Sequence, residues 1–355
     1  MSEPKYPPLR RRECRGPMDL VDLIEEKYKQ PGLGAAHLRA RDAYKDVPML
    51  KTPTWNNEVA AYFFFGGVSA GAALAGSLAE LFGGERRKEL ARTANYVAFA
   101  TLLPCAPLLI EDLGMPSRFH HMLRIFKPSS PMNLGSWALV TNGAVATLTV
   151  MRMLAHEGKV PVIGGLLRLL PERLLAGLGV PTSLLQAGYT GVLLGTTSIP
   201  VWYTSPLLGA LFMSSSLTTG AAATGLVSTL AGRVSREDHD ALASLGLALG
   251  TAEVALLGGY VATSGEAARP LLEGKEGAML AGAAGALGAA LALDAVTVVS
   301  GRKSKGISLI ANLLALAGGA LLRWAIVRAG RASAGDREGT LEAMKPRRGS
   351  PGWGG

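Results

Sequence analysis

The connection between the second and third apolar segments concentrates side chains that bind polar groups and exchange protons. Residues 111–133 include Asp112, Arg118, His120 and His121. Guanidinium and imidazole groups can donate hydrogen bonds to carbonyl oxygens, and a carboxylate or an imidazole can exchange protons. These residue types suit a redox-active ring with two carbonyl oxygens, such as a quinone, at a membrane surface. The alternative is a charged loop in which Asp112 pairs with Arg118 and the histidines are merely exposed.

Two carboxyl groups lie inside apolar segments. Glu253 is near the middle of the sixth segment, and Asp294 is past the middle of the seventh. An ionisable group at membrane depth is costly and is therefore a functional candidate by default. Both residues could relay protons. The alternative for Glu253 is a neutral or paired carboxyl that fixes helix packing.

Histidine and cysteine usage argues against cofactors bound by this chain. The histidines lie outside the apolar segments, apart from His156 at a boundary, so membrane-embedded haem ligands are not expected. Cys14 and Cys105 are too few for an iron–sulfur cluster, which needs about four thiolates. We expect neither haem nor an iron–sulfur cluster in this chain, and any cluster chemistry would come from a partner.

The elements that must position these residues are transmembrane helices. The chain has 355 residues, 48% of them hydrophobic, yet carries a net charge of +9. Charge and apolarity are segregated, which indicates lipid around one part and water around the other. We predict an all-α integral membrane protein with about eight spans in two four-helix bundles. The spans are Val59–Phe82, Ala94–Ile110, Leu134–Leu154, Leu184–Trp202, Pro206–Ala231, Ala241–Thr263, Gly277–Val299 and Ile307–Val327.

Polar tails flank this membrane domain. We assign residues 1–57 to an N-terminal tail, 58–329 to the membrane domain and 330–355 to a C-terminal tail. The basic residues of tails and loops are typical of membrane topology and argue against nucleic-acid binding. Loop charges favour both tails outside, but tail charges near the membrane largely cancel that bias. An amphipathic stretch at 166–178 is expected at the interface.

Small residues at four-residue spacing predict close helix packing. One stripe is formed by Gly67 and Gly71 and the other by Gly277, Ala281, Gly285 and Ala289. Such residues are common in membrane helices, so they indicate a compact bundle without indicating a function.

Several separated segments form a recognisable ordered set: LKTPTW at 50–55, EVAAYFFFGGVSAG at 58–71, DLGMPSRF at 112–119, KPSSPMNLGSW at 127–137 and RAGRASA at 328–334. Together they resemble the NrfD/PsrC family of membrane subunits of polysulfide-reductase-like molybdoenzyme complexes. The resemblance implies eight helices, no permanently bound cofactor, and a quinone site near one membrane face. It also implies an iron–sulfur partner subunit that connects to a molybdopterin catalytic subunit.

The resemblance places the entrance of the first helix, with Trp55, Asn57, Glu58 and Tyr62, in the quinone region. Some relatives have a histidine ligand at the start of this helix, and this sequence has none there. Tyr62 or Glu58, or His121 from the loop, would have to substitute.

The sequence therefore predicts a multi-pass subunit of the inner, cytoplasmic membrane that binds menaquinone or ubiquinone and exchanges electrons with a ferredoxin-like iron–sulfur subunit. Its partners would be that subunit, a molybdopterin catalytic subunit and membrane lipid. Whether the chain itself counts as an enzyme stays open. The alternatives are a membrane anchor without redox chemistry and a secondary transporter. The predicted quinone-binding residues are Trp55, Asn57, Glu58, Tyr62, Asp112, Arg118, His120 and His121, and the predicted proton relay is Glu253 and Asp294.

Overall fold

The computed structural model describes residues 50–113, 115–232, 236–300 and 304–344. Every regular element within those ranges is helical. Residues 1–49 of the predicted N-terminal tail and 345–355 of the predicted C-terminal tail lie outside the described residues. The tail assignments therefore stay predictions.

Eight long helices follow one another in the described part of the chain, and each overlaps one predicted span. We label them α1 to α8: Asn57–Phe82, Lys88–Leu102, Pro131–His156, Glu172–Gly195, Leu208–Leu230, Arg236–Ser264, Gly274–Ser300 and Lys305–Gly335. Short helices occupy the connections and the end of the described chain: Cys105–Glu111, His121–Arg124, Gly164–Arg168, Pro200–Tyr203, Arg269–Leu272 and Arg337–Ala343.

Seven helical segments among the described residues are long and apolar enough to cross a membrane. The remaining long helix, α4, has 24 residues and is about 36 Å long at 1.5 Å per residue, which exceeds a hydrocarbon core of about 30 Å. It is less apolar because it carries buried polar side chains such as Gln186 and Thr190. The predicted all-α membrane fold is confirmed.

The largest boundary error concerns α4. It begins at Glu172, twelve residues before the predicted start at Leu184, and so includes most of the stretch predicted to lie at the interface. The location of the stretch at the interface stays a prediction. Pro171 precedes the helix and Glu172 places a negative charge in its first turn, both favourable at a helix start. Pro181 lies inside the helix, where membrane helices tolerate proline.

The second span is interrupted. α2 ends at Leu102, and the short helix Cys105–Glu111 follows after Pro104. Proline lacks an amide hydrogen and its ring clashes with the preceding helical turn, so the break is expected at this position. The short helix carries the chain to Asp112.

The helices pack as two groups, α1 to α4 and α5 to α8, which meet mainly where α1 and α4 contact α5. α1 and α5 approach most closely at Gly71, where an added Cβ would lie 2.0 Å from the Ser216 carbonyl oxygen. The first predicted glycine stripe is therefore a packing surface. The second is not: Ala281, Gly285 and Ala289 of α7 are exposed within this chain. Extending the packing prediction to that stripe was wrong.

Candidate functional site

Two stacked indole rings lie at the end of the bundle where α1 begins. The ring of Trp55 is 5.4 Å from that of Trp202, with 24° between their planes. Trp202 is buried in the short helix Pro200–Tyr203, and its Nε1 donates a hydrogen bond of 2.8 Å to the Ile326 carbonyl of α8. Gly330 makes room for this ring, because a Cβ there would lie 1.9 Å from it. The fold thus holds a flat aromatic surface in place.

Arg331, near the end of α8, ties that helix to the chain that enters α1. Its Nη2 donates to the Trp55 carbonyl at 2.6 Å and to the Asn56 side-chain oxygen. Arg331 is exposed, so its charge remains accessible from water at this end of the bundle. A cation is thereby fixed beside the aromatic pair.

Asp112, at the end of the short helix Cys105–Glu111, lies near Asn56 and Arg331. The backbone of Asn56 donates a hydrogen bond to its carboxylate, and the charges of Glu58 and Arg331 act on it. Partial burial raises the pKa of Asp112, and the neighbouring Glu58 carboxylate raises it further, whereas Arg331 and the Asn56 hydrogen bond oppose the shift. Asp112 therefore keeps a proton to higher pH than a free aspartic acid does.

We call Trp55, Asn56, Glu58, Asp112 and Arg331 the rim cluster. It brings together the entrance of α1, the end of the short helix after α2, and the end of α8. A cavity of about 270 Å³ lies alongside, lined by residues 51–55, 197–199 and 202. The cluster thus combines an aromatic surface, two carboxyl groups and a cation, and its aromatic side borders this open space through Trp55.

Tyr62 lies in α1 one turn beyond Glu58 and is buried. Its ring, the Gln186 amide and the Cys105 thiol converge at Gly66, all within 4 Å of where a Cβ on that glycine would be. Gln186 donates weakly to the Gly66 carbonyl at 3.4 Å, and its side-chain oxygen has no hydrogen-bond partner. A buried polar group is therefore available beneath the rim cluster.

The predicted loop residues Arg118, His120 and His121 are exposed. The two imidazole rings lie 4.5 Å apart, edge to face. Arg118 forms no ion pair with Asp112, so the alternative of a closed loop pair is wrong. Asn57 is also exposed, at the start of α1. The structure thus brings half of the predicted set into or beneath the rim cluster and leaves the other half facing water.

A second polar centre lies in the middle of the bundle around Arg323 of α8, which is completely buried. Its Nε donates to the Phe63 carbonyl at 3.0 Å, and Nη1 donates at 2.9 Å to both the Ser215 hydroxyl and the Gly319 carbonyl. Nη2 donates to the Ser216 hydroxyl at 3.1 Å. This guanidinium connects α8 to α1 and α5.

Glu253 of α6 is also completely buried, and it interacts with Arg323 electrostatically. The Ser215 and Thr218 hydroxyls lie close to it, but neither carboxylate oxygen accepts a hydrogen bond of acceptable geometry. The hydroxyl of Thr218 instead donates to the Ser214 carbonyl at 3.1 Å. Glu253 is therefore a buried carboxyl without a direct donor, which is costly unless it has another role.

Asp294 of α7 is half-buried against Gly246 of α6, where a Cβ would lie 2.4 Å from its Oδ2. A narrow cavity of about 20 Å³ separates Asp294 and Asn312 from Thr218. That volume accommodates about one water molecule. Since Thr218 also lies beside Glu253, the two predicted relay residues belong to one region of the bundle.

Sequence reasoning missed three residues. Arg323 lies inside the predicted eighth span, so the rule that selected Glu253 and Asp294 applied to it equally. Arg331 lies in the segment 328–334 that carries part of the family resemblance, but its contact with Trp55 joins residues 276 positions apart. Trp202 is not ionisable and ends the predicted fourth span, so its residue type did not indicate a role in the site.

Comparisons with known proteins cover most of the chain. The family model described as "Polysulphide reductase, NrfD" matches residues 47–334, a range that includes the whole rim cluster. A selenate reductase subunit from Mesobacillus selenatarsenatis is 22% identical over 246 residues, which are 61% of this chain and 58% of that protein. A polysulfide reductase subunit from Wolinella succinogenes is 27% identical over 194 residues, which are 52% of this chain and 61% of that protein. The chain thus matches about three fifths of the length of each relative.

Proposed function

The chain belongs to the NrfD polysulphide reductase family, and from this premise we propose that it is the quinone-binding membrane subunit of a respiratory oxidoreductase complex. The rim cluster carries the proposal, because three distant segments place an aromatic surface, proton-exchanging carboxyls and a cation together at the end of a membrane bundle. The names of both relatives describe subunits of reductases, which supports a complex of several chains.

The residues of the rim cluster fit a quinone head group. Menaquinone or ubiquinone, when bound, supplies two-electron, two-proton chemistry at a flat ring with two carbonyl oxygens. Trp55 offers a flat surface to such a ring, and Arg331 offers guanidinium donors to an oxygen. Asp112, with its raised pKa, holds or accepts a proton at its carboxylate oxygens. Tyr62 and Glu58 add polar groups below and beside it.

We further propose that the exposed loop completes the site from the water side. Arg118, His120 and His121 lie on the connection that follows Asp112, and imidazole exchanges protons near neutral pH. Together with Asn57 they would pass protons between the rim cluster and bulk water.

The buried carboxyls suggest a second proton route in the same proposal. Asp294 and Glu253 are linked by Thr218 and by a cavity large enough for about one water. A proton held on Glu253 would be controlled by the fixed charge of Arg323 beside it. Glu253→Gln should therefore slow proton-coupled turnover without changing quinone affinity.

Electrons would pass to a separate iron–sulfur subunit, which connects in turn to a molybdopterin catalytic subunit. The rim cluster and the exposed loop 115–121 offer a polar surface for such a partner at this end of the bundle. The proposed location is the inner membrane.

The test is quinone binding to the purified chain, followed by tryptophan fluorescence. A short-chain quinone analogue should quench the stacked indoles, and Trp55→Phe should remove most of that quenching. Asp112→Asn should weaken binding of the reduced analogue about ten-fold, because a quinol hydroxyl can donate a charge-assisted hydrogen bond to the carboxylate. The matched control is Glu111→Gln, which changes the adjacent exposed carboxylate and should leave binding unchanged.

In the assembled complex, Asp112→Asn and His121→Ala should each reduce quinol-linked electron transfer strongly while assembly stays intact. Loss of assembly with normal specific activity in the residual complex would instead indicate a structural anchor. Solute uptake by vesicles that contain the chain alone would indicate a transporter.

A further inference from the structure

An apolar groove opens on the side of the bundle at the end opposite the rim cluster. It lies between the end of α1, the start of α2, the end of α5 and the start of α6, and has a volume of about 610 Å³. Small side chains such as Ala75, Ala221 and Ala248 leave the space empty, and Leu78 and Leu245 border it. The groove is therefore at the seam between the two groups of helices.

Lipid is the expected surrounding of this groove. α1, α5 and the segments that contain α2 and α6 are among those apolar enough to cross a membrane. From Ala241 to Ala248, α6 contributes about 10 Å of wall at 1.5 Å per residue. A hydrocarbon chain would fill this space with favourable dispersion contacts, whereas an empty groove forgoes them.

Arg87 lies at the mouth of the groove and supplies a charge. It is exposed and forms no ion pair with another described residue. Its neighbours differ: Arg86 lies 3.9 Å from Glu237, and Lys88 lies 2.5 Å from Glu85. A lone guanidinium above an apolar groove is complementary to a phosphate that carries an acyl chain.

The groove offers little to a quinone ring. Of its two hydroxyl residues, Thr224 donates to its own helix, to the Gly220 carbonyl at 2.8 Å. Ser244 lies on α6 among the apolar residues, and Arg87 is at the mouth. No aromatic pair or carboxyl comparable to the rim cluster lines the described groove.

We propose that this groove binds one anionic phospholipid, with its phosphate on Arg87 and one acyl chain between α1 and α6. The lipid would bridge the two groups of helices at the end where α1 and α5 end. This site is separate from the rim cluster and does not depend on the proposed quinone chemistry.

Native mass spectrometry of the delipidated, full-length protein tests the proposal. Phosphatidylglycerol should bind more tightly than phosphatidylcholine, and Arg87→Gln should reduce that preference about five-fold, as expected for one basic residue at a membrane surface. Arg86→Gln is the matched control because its charge is already paired, and it should keep the preference.

A second variant tests the acyl chain. Ala248→Leu fills the groove and should reduce binding of both lipids, while quinone binding at the rim cluster stays unchanged. Equal effects of Arg86→Gln and Arg87→Gln would overturn the proposal. So would binding of both lipids that Ala248→Leu leaves unchanged, or a quinone analogue whose binding depends on Arg87.

Discussion

Replacing Arg323 with methionine should lower the free energy of unfolding by about 3–5 kcal/mol, because it removes four buried hydrogen bonds and leaves the buried Glu253 without the cation that acts on it. The four hydrogen bonds of the guanidinium are lost; three of their four acceptors keep another partner, whereas the Ser215 hydroxyl loses its bond to Nη1. The Phe63 and Gly319 carbonyls lie within helices, and the Ser216 hydroxyl also donates to the Phe212 carbonyl at 2.7 Å. The cost therefore combines the lost hydrogen bonds with the effect on Glu253, which loses the cation that acts on it.

A double-mutant cycle isolates this pair. Glu253→Gln should also destabilise the protein, and the double variant should cost less than the sum of the single variants by about 0.5–3 kcal/mol. The control is Arg328→Met on the same helix, which removes a partly exposed ion pair with Glu276 at 3.8 Å. A pair of that kind contributes about 0–1 kcal/mol.

Thermal unfolding in detergent provides the measurement. Cys105 is a buried thiol that a thiol-reactive dye labels as the bundle opens, and every variant would carry Cys14→Ser to remove the other cysteine. For a protein of this size about 4 kcal/mol corresponds to a fall in Tm on the order of 10 °C. Additive effects of the two substitutions would refute the reasoning and leave Glu253 as a packing residue.

Two further predictions concern the rim cluster. A carboxylate accepts a proton only above its pKa, so quinol-linked electron transfer should fall as pH drops through the raised pKa of Asp112. Glu58→Gln removes a neighbouring negative charge and should move this fall in activity to lower pH. Arg331→Gln removes a neighbouring positive charge and should move it to higher pH. A pH profile in which both variants shift the same way would contradict this assignment. Gly330→Ala would place a methyl group 1.9 Å from the Trp202 ring and should cost about 1–3 kcal/mol while disturbing the indole stack; near-ultraviolet circular dichroism would detect the loss, and an unaltered spectrum with normal stability would count against the packing described.

The helices could be predicted from sequence because lipid demands long apolar segments, and seven of the eight satisfy that demand by composition. α4 was located only in its second half. Its first half is rich in leucine and glycine but contains Pro181 within a longer connection, so hydropathy did not distinguish a helix from an interfacial segment. The true length of α4 depends on its packing against α1 and α3, which the sequence does not display.

The site was only partly predictable for a different reason. Asp112, Arg118, His120 and His121 are close in sequence, yet only Asp112 turns toward the entrance of α1. The cation beside it is Arg331, which follows more than two hundred residues later. Spacing along the chain identifies groups that share a helix or a loop. It cannot identify groups that meet because two distant helices end at the same face.

Photoaffinity labelling with an azido-quinone tests the central claim most directly, since it reports where the ring lies without assuming which residues bind it. We predict labelled peptides from residues 50–62, 105–121 and 328–334, suppressed by excess unmodified quinone and weakened by Asp112→Asn. Labelling confined to the opposite end of the bundle, or labelling that unmodified quinone does not suppress, would contradict the assignment of the rim cluster as a quinone site.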